Sequence, residues 1–382
     1  MNFVSTATHC SCAEISPSEA LSRQAQGALL IDVREDDERA AGMAEGAVGI
    51  PLADVAAQIA RIEPGHEREI LTMCASGKRS LRAAQTLHEL GYRRLASVAG
   101  GFLRWNAEGL PLAEGGLSAD ALERYSRHLL LPEVGAAGQG RLAAARIALI
   151  GAGGLGSPAG FYLAAAGVGH LTLIDDDVVD KSNLQRQILH TDARVGMAKT
   201  ESARIALTAL NPSVELRMHR TRLLAENVED LIRDCDVVID GADNFPTRYL
   251  LSAACLRLKI PLVYGAVHRF TGQVSVFDAR NAASPCYRCL FPEPPAAEDA
   301  PNCAEAGVLG VLPGTIGLLQ ATEAIKLVLG IGAPLVGRLL CYDALAATFR
   351  ELRLPRDPEC PGCGGHAVFH GYEDIAQICA SA

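Results

Sequence analysis

The sequence has few aromatic residues, no excess of basic charge and no long uninterrupted apolar run. Aromatic side chains make up 5% of the 382 residues, and the sequence has 35 Lys and Arg against 44 Asp and Glu. The net charge of −9 argues against a nucleic-acid-binding surface. Glycine, proline or charge interrupts the most apolar stretches, 146–174 and 306–341, which argues against a membrane span. We therefore expect a soluble cytoplasmic protein.

The length predicts two domains, because 382 residues exceed what one hydrophobic core usually organises. A short glycine-containing stretch at 113–117 predicts a linker between them. We expect an N-terminal segment at 1–14, a smaller α/β domain at 15–112, this linker, a larger α/β domain with a mostly parallel sheet at 118–366, and a tail at 367–382.

A glycine-rich loop stands between a predicted strand at 146–150 and a predicted helix at 157–166. The loop glycines are Gly151, Gly153, Gly154 and Gly156. Such a loop lets the backbone approach phosphate at a helix N-terminus. Asp175, 24 positions after Gly151, stands where a ribose-binding acid is expected. These features alone are also compatible with a dinucleotide ligand such as NAD.

Polar residues after the loop favour a triphosphate over a dinucleotide. Asn183, Arg186 and Lys199 can orient and neutralise phosphate charge, which an in-line displacement requires. A second apolar run ends at Asp240 and is followed by Asp243-Asn244, as expected at the ligand-binding edge of a parallel sheet. We predict that Asp243 holds Mg²⁺ and that Asp240 is structural.

Two C-x-x-C pairs predict a structural zinc site. The four cysteines are Cys286, Cys289, Cys360 and Cys363. Four thiolates complete a tetrahedral zinc shell without an open position. Disulfides are the alternative, but the sequence shows no secretory signal and has scattered single cysteines, as is typical of a reducing compartment.

These features together resemble the MoeB/ThiF family of adenylating enzymes, over roughly residues 118–363. The resemblance implies that the loop glycines and Asp175 bind ATP and that Asn183, Arg186 and Lys199 contact its phosphates. It also implies that Asp243 holds the magnesium ion and that Asn244 beside it belongs to the same site. It also implies a homodimer in which Arg127 reaches the partner's phosphates. The implied substrate is the C-terminal carboxylate of a ubiquitin-like sulfur-carrier protein ending in Gly-Gly. Cys303 matches the family's loop cysteine, which can form a covalent intermediate.

The N-terminal part carries a cysteine loop between a predicted strand at 69–74 and a predicted helix at 80–90. The loop runs from Cys74 through Gly77 and Lys78 to Arg79. Backbone N–H groups, a helix dipole and Arg79 favour a thiolate or a bound anion there. Only four residues separate Cys74 from Arg79, which suits a persulfide better than the phosphate of a cysteine phosphatase. Residues 15–112 resemble a single-domain rhodanese, although 42–46 depart from its usual Gly-His-Ile-Pro-Gly.

The two resemblances combine into one hypothesis. The larger domain adenylates the carrier, and a Cys74 persulfide, filled by a cysteine desulfurase or thiosulfate, supplies sulfur for a C-terminal thiocarboxylate. The small subunit of molybdopterin synthase is the favoured carrier, while thiamin, cysteine, siderophore and tRNA-thiolation pathways remain open. An NAD-binding redox protein or a non-catalytic scaffold, each with a regulatory rhodanese module, are the alternatives from other classes.

Overall fold

The structure, a computed structural model, describes residues 12–40, 42–113, 117–293 and 307–372. The chain divides into two compact units, residues 1–140 and 141–382. Residues 114–116 of the expected linker lie outside the described residues, and the domain boundary there stays a prediction. Each unit is described by itself below.

The first unit is built on a parallel five-stranded sheet. Its strands are β1 (Ala13–Ile15), β2 (Leu29–Asp32), β3 (Val48–Gly49), β4 (Ile70–Met73) and β5 (Leu95–Val98). Their order across the sheet is β1-β5-β4-β2-β3, and the four pairings are all parallel. The central strands are apolar and buried, as a sheet covered by helices on both faces requires.

Helices connect these strands and enclose two apolar clusters. They are α1 (Pro17–Ala25), α2 (Asp36–Ala40), α3 (Val55–Ile62), α4 (Lys78–Glu89) and α5 (Gly101–Ala107), and helices α6 (Ala119–Arg124) and α7 (Ser126–Leu129) follow them in the chain. The side chain of Ser16 caps α1 by accepting from the Glu19 N–H, and Pro17 occupies the first turn. Trp105, the single tryptophan, is fully buried and donates its indole N–H to the Pro111 carbonyl at 2.9 Å.

The second unit contains an eight-stranded mixed sheet. Its strands are β6 (Arg146–Ile150), β7 (His170–Ile174), β8 (Glu215–His219), β9 (Val237–Asp240), β10 (Leu262–His268), β11 (Thr271–Phe277), β12 (Arg338–Asp343) and β13 (Thr348–Arg353). Their order is β13-β12-β11-β10-β9-β6-β7-β8. The five strands from β10 to β8 are parallel, and β11 to β13 are antiparallel. The chain reverses its direction of winding between β6 and β9, the switch point where α/β sheets bind ligands.

Helices cover both faces of this sheet. They are α9 (Gly156–Ala166), α10 (Lys199–Leu210), α11 (Val228–Ile232), α12 (Phe245–Leu258), α13 (Tyr287–Leu290) and α14 (Val311–Leu329), while α8 (Gly135–Ala144) comes before β6 in the chain. Helices α11 and α12 pack on an apolar cluster that includes Ile150, Val238 and Tyr264. Helix α14 packs against α9 and the central strands, and Gly160 of α9 lies beside Leu149.

The α/β fold class predicted from the sequence is confirmed. The strand predicted at 146–150 is β6, and the strand predicted at 69–74 is β4, with Cys74 directly after it. Helix α4 begins at Lys78 rather than Ser80, because Gly77 takes a φ of +102° and turns the chain into the helix. Among the described helices, none is both long and apolar enough to cross a membrane.

We predict that Gly101→Ala destabilises the first unit by about 2–3 kcal/mol. A Cβ at Gly101 would lie 2.1 Å from the Cys74 carbonyl oxygen, and the φ of +58° is also strained for alanine. Urea titration followed by Trp105 fluorescence measures this unit, because the other unit has no tryptophan. Gly109→Ala is the control: its φ is +66°, but no atom lies within 4 Å of its Cβ position. Equal losses in the two variants would mean that the contact with Cys74 costs nothing.

Candidate active sites and metal centre

Cys74 lies at the carboxyl edge of the first sheet. Strands β2 and β4 are parallel neighbours, with Asp32 opposite Met73, so the loops that follow them lie side by side. The Val33 N–H donates to the Met73 carbonyl at 2.8 Å and continues this pairing by one residue. Cys74 is only 1% exposed. Its sulfur is thus held inside a loop and not displayed on the surface.

Hydrogen bonds to the Cys74 sulfur favour its ionised form. The Gly77 N–H donates to Sγ at 3.1 Å, and Ser80 Oγ lies 3.5 Å from Sγ. Burial alone would raise the pKa of the Cys74 thiol, but its hydrogen-bonding contact with the Ser80 side chain and hydrogen bonds from the backbone of Ser80, Ser76 and Gly77 together bring that pKa below its ordinary value. Such a thiolate is a nucleophile suited to attack sulfur.

The first turn of α4 carries the cationic residues predicted for the loop. Lys78 begins the helix and is exposed. Arg79 is half-buried and forms a two-pronged ion pair with Glu38 of α2, whose carboxylate oxygens lie 2.7 and 2.5 Å from its guanidinium nitrogens. Sequence reasoning missed Glu38, because the two residues are 41 positions apart and only the pairing of β2 with β4 brings them together.

The glycine loop lies at the switch point of the second sheet, between the ends of β6 and β9. Gly151 has a φ of +94° and packs against the Gly241 backbone, whose carbonyl oxygen would lie 3.0 Å from a Cβ at Gly151. A Cβ at Gly156 would lie 1.9 Å from the Gly151 carbonyl oxygen. These two positions therefore require glycine, and they aim the N-terminus of α9 at the crevice.

The side chain of Asp175 binds backbone N–H groups in and near the glycine loop. One carboxylate oxygen accepts from the Ala152 N–H and the other from the Asp177 N–H, each at 2.8 Å. Burial raises the pKa of Asp175, while the Lys199 charge and these two hydrogen bonds oppose that rise. The predicted ribose-binding acid thus also fixes the shape of the loop.

The predicted phosphate-handling residues lie in the segment after Asp175 and at the start of α10. Lys199 is 5% exposed at the start of α10, and its ammonium lies 2.8 Å from Asp177. Arg186 donates to the Ser182 carbonyl at 3.2 Å and lies beside Gly154, while the buried Gln187 lies beside Gly153. Asn183 belongs to a 3₁₀ turn at Lys181–Asn183, and its carbonyl accepts from the Arg186 and Gln187 N–H groups. The structure therefore brings Arg186 to the glycine loop.

The two acidic residues at the end of β9 and just after it differ in exposure. Asp243 is exposed and therefore open to a ligand. Asn244 caps α12 by accepting from the Thr247 N–H at 3.0 Å, so its side-chain oxygen has a structural use. Asp240 accepts from the Ala242 N–H and lies 3.6 Å from Arg248. Burial raises the pKa of Asp240 to about 6, although Arg248 opposes this rise.

Sequence reasoning missed two buried polar residues that brace this site. His190 Nε2 lies 2.9 Å from the Ala152 carbonyl in the glycine loop, and its Nδ1 lies 2.9 Å from Ser202 Oγ. Gln320 of α14 donates to the Asp240 and Val263 carbonyls at 2.6 and 3.1 Å. No local motif marks either residue, because their partners lie 12 to 80 positions away.

The two C-x-x-C pairs meet in the second unit. The Sγ atoms of Cys286 and Cys360 are 3.6 Å apart, those of Cys289 and Cys363 are 3.5 Å apart, and all four lie within 4.8 Å of one another. Backbone N–H groups point at these sulfurs, including Gly362 to Cys360 at 3.4 Å and Asp357 to Cys289 at 3.5 Å. Four sulfurs at this spacing, with N–H donors that stabilise thiolate, fit a tetrahedral zinc ion.

Two predicted site residues stand apart from this geometry. Arg127 lies in α7 and is exposed, and its predicted role concerns a second copy of the chain, so it stays a prediction. Cys303 lies outside the described residues, as does the rest of the segment 294–306. Its predicted covalent role therefore also stays a prediction.

Two protein-family models match the chain. Residues 16–108 match the rhodanese-like domain, and residues 125–362 match the ThiF family. The first match contains the Cys74 loop, and the second contains the glycine loop and three of the four clustered cysteines, up to Cys360. The two resemblances drawn from the sequence are confirmed.

Named relatives and a solved structure agree with these matches. A Thermus thermophilus protein named sulfur carrier protein adenylyltransferase is 48% identical over 263 residues, which are 68% of this chain and 97% of that protein. A Mycobacterium tuberculosis protein named probable adenylyltransferase/sulfurtransferase MoeZ is 49% identical over 255 residues, covering 66% of this chain and 65% of that protein. The crystal structure of Escherichia coli MccB with ATP has a TM-score of 0.55 at 21% identity, covering 63% of this chain and 74% of that one, which supports the fold alone.

We predict about one tightly held zinc ion per chain, lost when Cys360→Ser removes a ligand. Elemental analysis of the reduced protein measures this, and a strong chelator should lower the thermal stability of the wild type while it removes the metal. Cys341→Ser is the control, because Cys341 lies in β12 outside the cluster. A folded, reduced wild type without zinc would contradict the assignment.

We predict that neutral His190 makes the second unit sensitive to acid. Burial, more than the nearby Lys199 and Arg194 charges, lowers the pKa of His190 below its ordinary value of 6.5, against the Ala152 hydrogen bond. The unfolded chain therefore binds this proton first, and the stability contributed by His190 is present above pH 6.5 and lost as pH falls through its lowered pKa.

Calorimetry between pH 7.5 and about pH 5 should show a shallower loss of stability for His190→Gln than for the wild type. Glutamine can still donate to the Ala152 carbonyl but does not titrate. His268→Gln, at an exposed position of β10, controls for the removal of a histidine. Parallel pH profiles for the wild type and His190→Gln would contradict this prediction.

Proposed function

Because the chain belongs to the ThiF family and also carries a rhodanese-like domain, we propose that it activates a ubiquitin-like sulfur-carrier protein with ATP and then transfers sulfur to it. The product is a thiocarboxylate at the C-terminal glycine of the carrier. The observation that carries the proposal is the presence, in one chain, of a glycine loop at a sheet switch point and a buried Cys74 whose pKa is lowered. The names of the relatives support ATP over the dinucleotide left open by the glycines alone.

In the first step the carrier carboxylate attacks the α-phosphorus of ATP, which forms an acyl-adenylate and releases pyrophosphate. The glycine loop and the N-terminus of α9 would bind phosphate through backbone N–H groups. Arg186 and Lys199 would neutralise the charge that develops on the leaving pyrophosphate, and Lys199 would exchange its Asp177 partner for phosphate. The exposed Asp243 is the residue proposed to hold magnesium, which would supply further charge stabilisation for the phosphates when bound.

In the second step the Cys74 persulfide attacks the acyl carbon and displaces AMP, which leaves the carrier joined to Cys74 through an acyl disulfide. Attack by a thiolate on the Cys74 sulfur then releases the thiocarboxylate and leaves a disulfide, which an external thiol must reduce. We propose Cys303 for this attack. The four clustered cysteines would hold structural zinc and take no part in the transfer, because their four sulfurs already complete a tetrahedral shell.

The partners follow from the same chemistry. The favoured carrier is the small subunit of molybdopterin synthase. A relative named for both adenylyl and sulfur transfer supports the combination of the two activities in one chain. Carriers of the thiamin, cysteine, siderophore and tRNA-thiolation pathways are the alternatives. A cysteine desulfurase or thiosulfate would supply sulfur, and a homodimer would place Arg127 at the partner's phosphates. A thiolate at Cys74 and zinc-bound thiolates both suit the reducing cytoplasm.

The two half-reactions should separate by mutation. Cys74→Ala should reduce sulfur transfer to cyanide to background while carrier-dependent ATP–pyrophosphate exchange stays within about twofold of the wild type. Asp243→Ala should lower that exchange on the order of 100-fold, because it removes charge stabilisation from the leaving phosphates, and should leave sulfur transfer unchanged. Exchange is measured with a panel of Gly-Gly-ended carriers, and intact mass reports replacement of oxygen by sulfur.

Cys341→Ala controls for the loss of a cysteine away from both sites. Loss of both reactions in Cys74→Ala would contradict the division of roles. Normal exchange in Asp243→Ala would exclude its assignment to magnesium. If no carrier supports exchange, the adenylation half of the proposal fails while the sulfur-transfer half stays testable.

A further inference from the structure

Arg79, the last residue of the Cys74 loop, is already paired with a carboxylate. Glu38 accepts from both terminal guanidinium nitrogens of Arg79, at 2.7 and 2.5 Å. The Arg79 hydrogen bond, against the effect of burial, lowers the pKa of Glu38, and the Glu38 hydrogen bond raises the pKa of Arg79. Both groups therefore stay charged, and the Glu38 carboxylate neutralises the positive charge of Arg79 in the Cys74 loop.

The pair is held in place from the Glu38 side. The Glu35 N–H donates to Glu38 Oε2 at 3.0 Å, and Arg34, itself buried against Asp32, donates to the Glu38 carbonyl at 3.2 Å. Strand β2 therefore fixes α2, and α2 presents Glu38 to Arg79. The Glu38 carboxylate occupies both prongs of the guanidinium, which is the geometry by which arginine would otherwise bind an oxyanion.

Sulfur donors differ in what they carry beside the transferred sulfur. In thiosulfate the outer sulfur is bonded to a sulfonate group, and the ion has two negative charges. In a persulfide it is bonded to the sulfur of a thiol, which needs no oxyanion site. A guanidinium that is available favours the first donor, whereas one that is occupied by a carboxylate favours the second.

We infer that Glu38 selects the sulfur donor of the Cys74 loop: it occupies Arg79 and so directs the site to persulfides carried by thiols and away from thiosulfate. This inference rests on the proposed sulfurtransferase function. In the favoured reaction the Cys74 thiolate attacks the terminal sulfur of R–S–SH, a Cys74 persulfide forms, and the R–S⁻ thiolate leaves with the electron pair of the broken S–S bond. No oxidant or reductant is consumed, because one S–S bond replaces another.

Glu38→Gln tests the inference, because it keeps the size of the side chain and removes the charge that holds Arg79. We expect the KM for thiosulfate to fall on the order of five- to tenfold, with an effect that shrinks at high salt because the charges are partly exposed. With cysteine persulfide as the donor, kcat/KM should change by less than about twofold. Persulfide formation on the full chain is followed by intact mass and by sulfur transfer to cyanide.

Glu35→Gln is the matched control. Glu35 is exposed and its charge also acts on Arg79, while its bond to Glu38 comes from the backbone N–H, so the variant removes one negative charge and keeps that bond and the ion pair. In the double variant Glu38→Gln with Arg79→Gln, the gain with thiosulfate should disappear. These results would support the pairing of Arg79 as the cause.

Three results would overturn the inference. Equal gains in Glu35→Gln and Glu38→Gln would reduce it to an effect of net charge. Equal losses with both donors in Glu38→Gln would assign Glu38 to loop structure. A wild type that uses thiosulfate as efficiently as cysteine persulfide would exclude selection. If the wild type forms no persulfide from any donor, the proposed sulfur transfer itself fails, which differs from the first three results because persulfide formation is then absent.

Discussion

Both candidate sites depend on a backbone carbonyl that packs against a glycine more closely than any Cβ would allow. In the first unit Gly101 lies against the Cys74 carbonyl, which also accepts from the Phe102 N–H at 2.7 Å. In the second unit Gly156 lies against the Gly151 carbonyl. Each contact lies where the chain leaves a buried strand, because Cys74 follows β4 and Gly151 follows β6. The parallel sheets supply the strands, but these contacts form the binding loops.

Charged pairs lie around these loops, and the pairs differ in whether one member is exposed. The almost fully buried Lys199 faces an exposed Asp177. The buried Asp240 keeps Arg248 nearby, and the Asp32–Arg34 pair is buried entirely. A buried cation with an exposed carboxylate partner can exchange that carboxylate for an incoming anion. A pair that is buried entirely cannot make this exchange. Lys199 therefore suits ligand binding, and Asp32 with Arg34 suits the support of α2.

The sequence predicted those parts of the molecule that local chemistry determines. An apolar run predicted the strand at 146–150. Glycines, which tolerate a positive φ, predicted the loop after it, and the spacing of four cysteines predicted their cluster. Glu38, His190 and Gln320 could not be predicted, because their partners are set by strand pairing and helix packing over 12 to 80 positions. Asn244 shows the opposite difficulty: its motif suggested a ligand, while its side chain caps a helix.

The cysteine cluster has a consequence for the chain between its two halves. Cys289 and Cys363 are 74 positions apart, and α14, β12 and β13 lie between them. Once the ends of such a long segment are tied at one point, each doubling of its length adds only about 0.6 kcal/mol of closure entropy. Insertions in the connections between these elements should therefore be thermodynamically cheap. Cys303 falls between these cysteines in the sequence, and by the same argument a change in chain length around it should add little closure entropy.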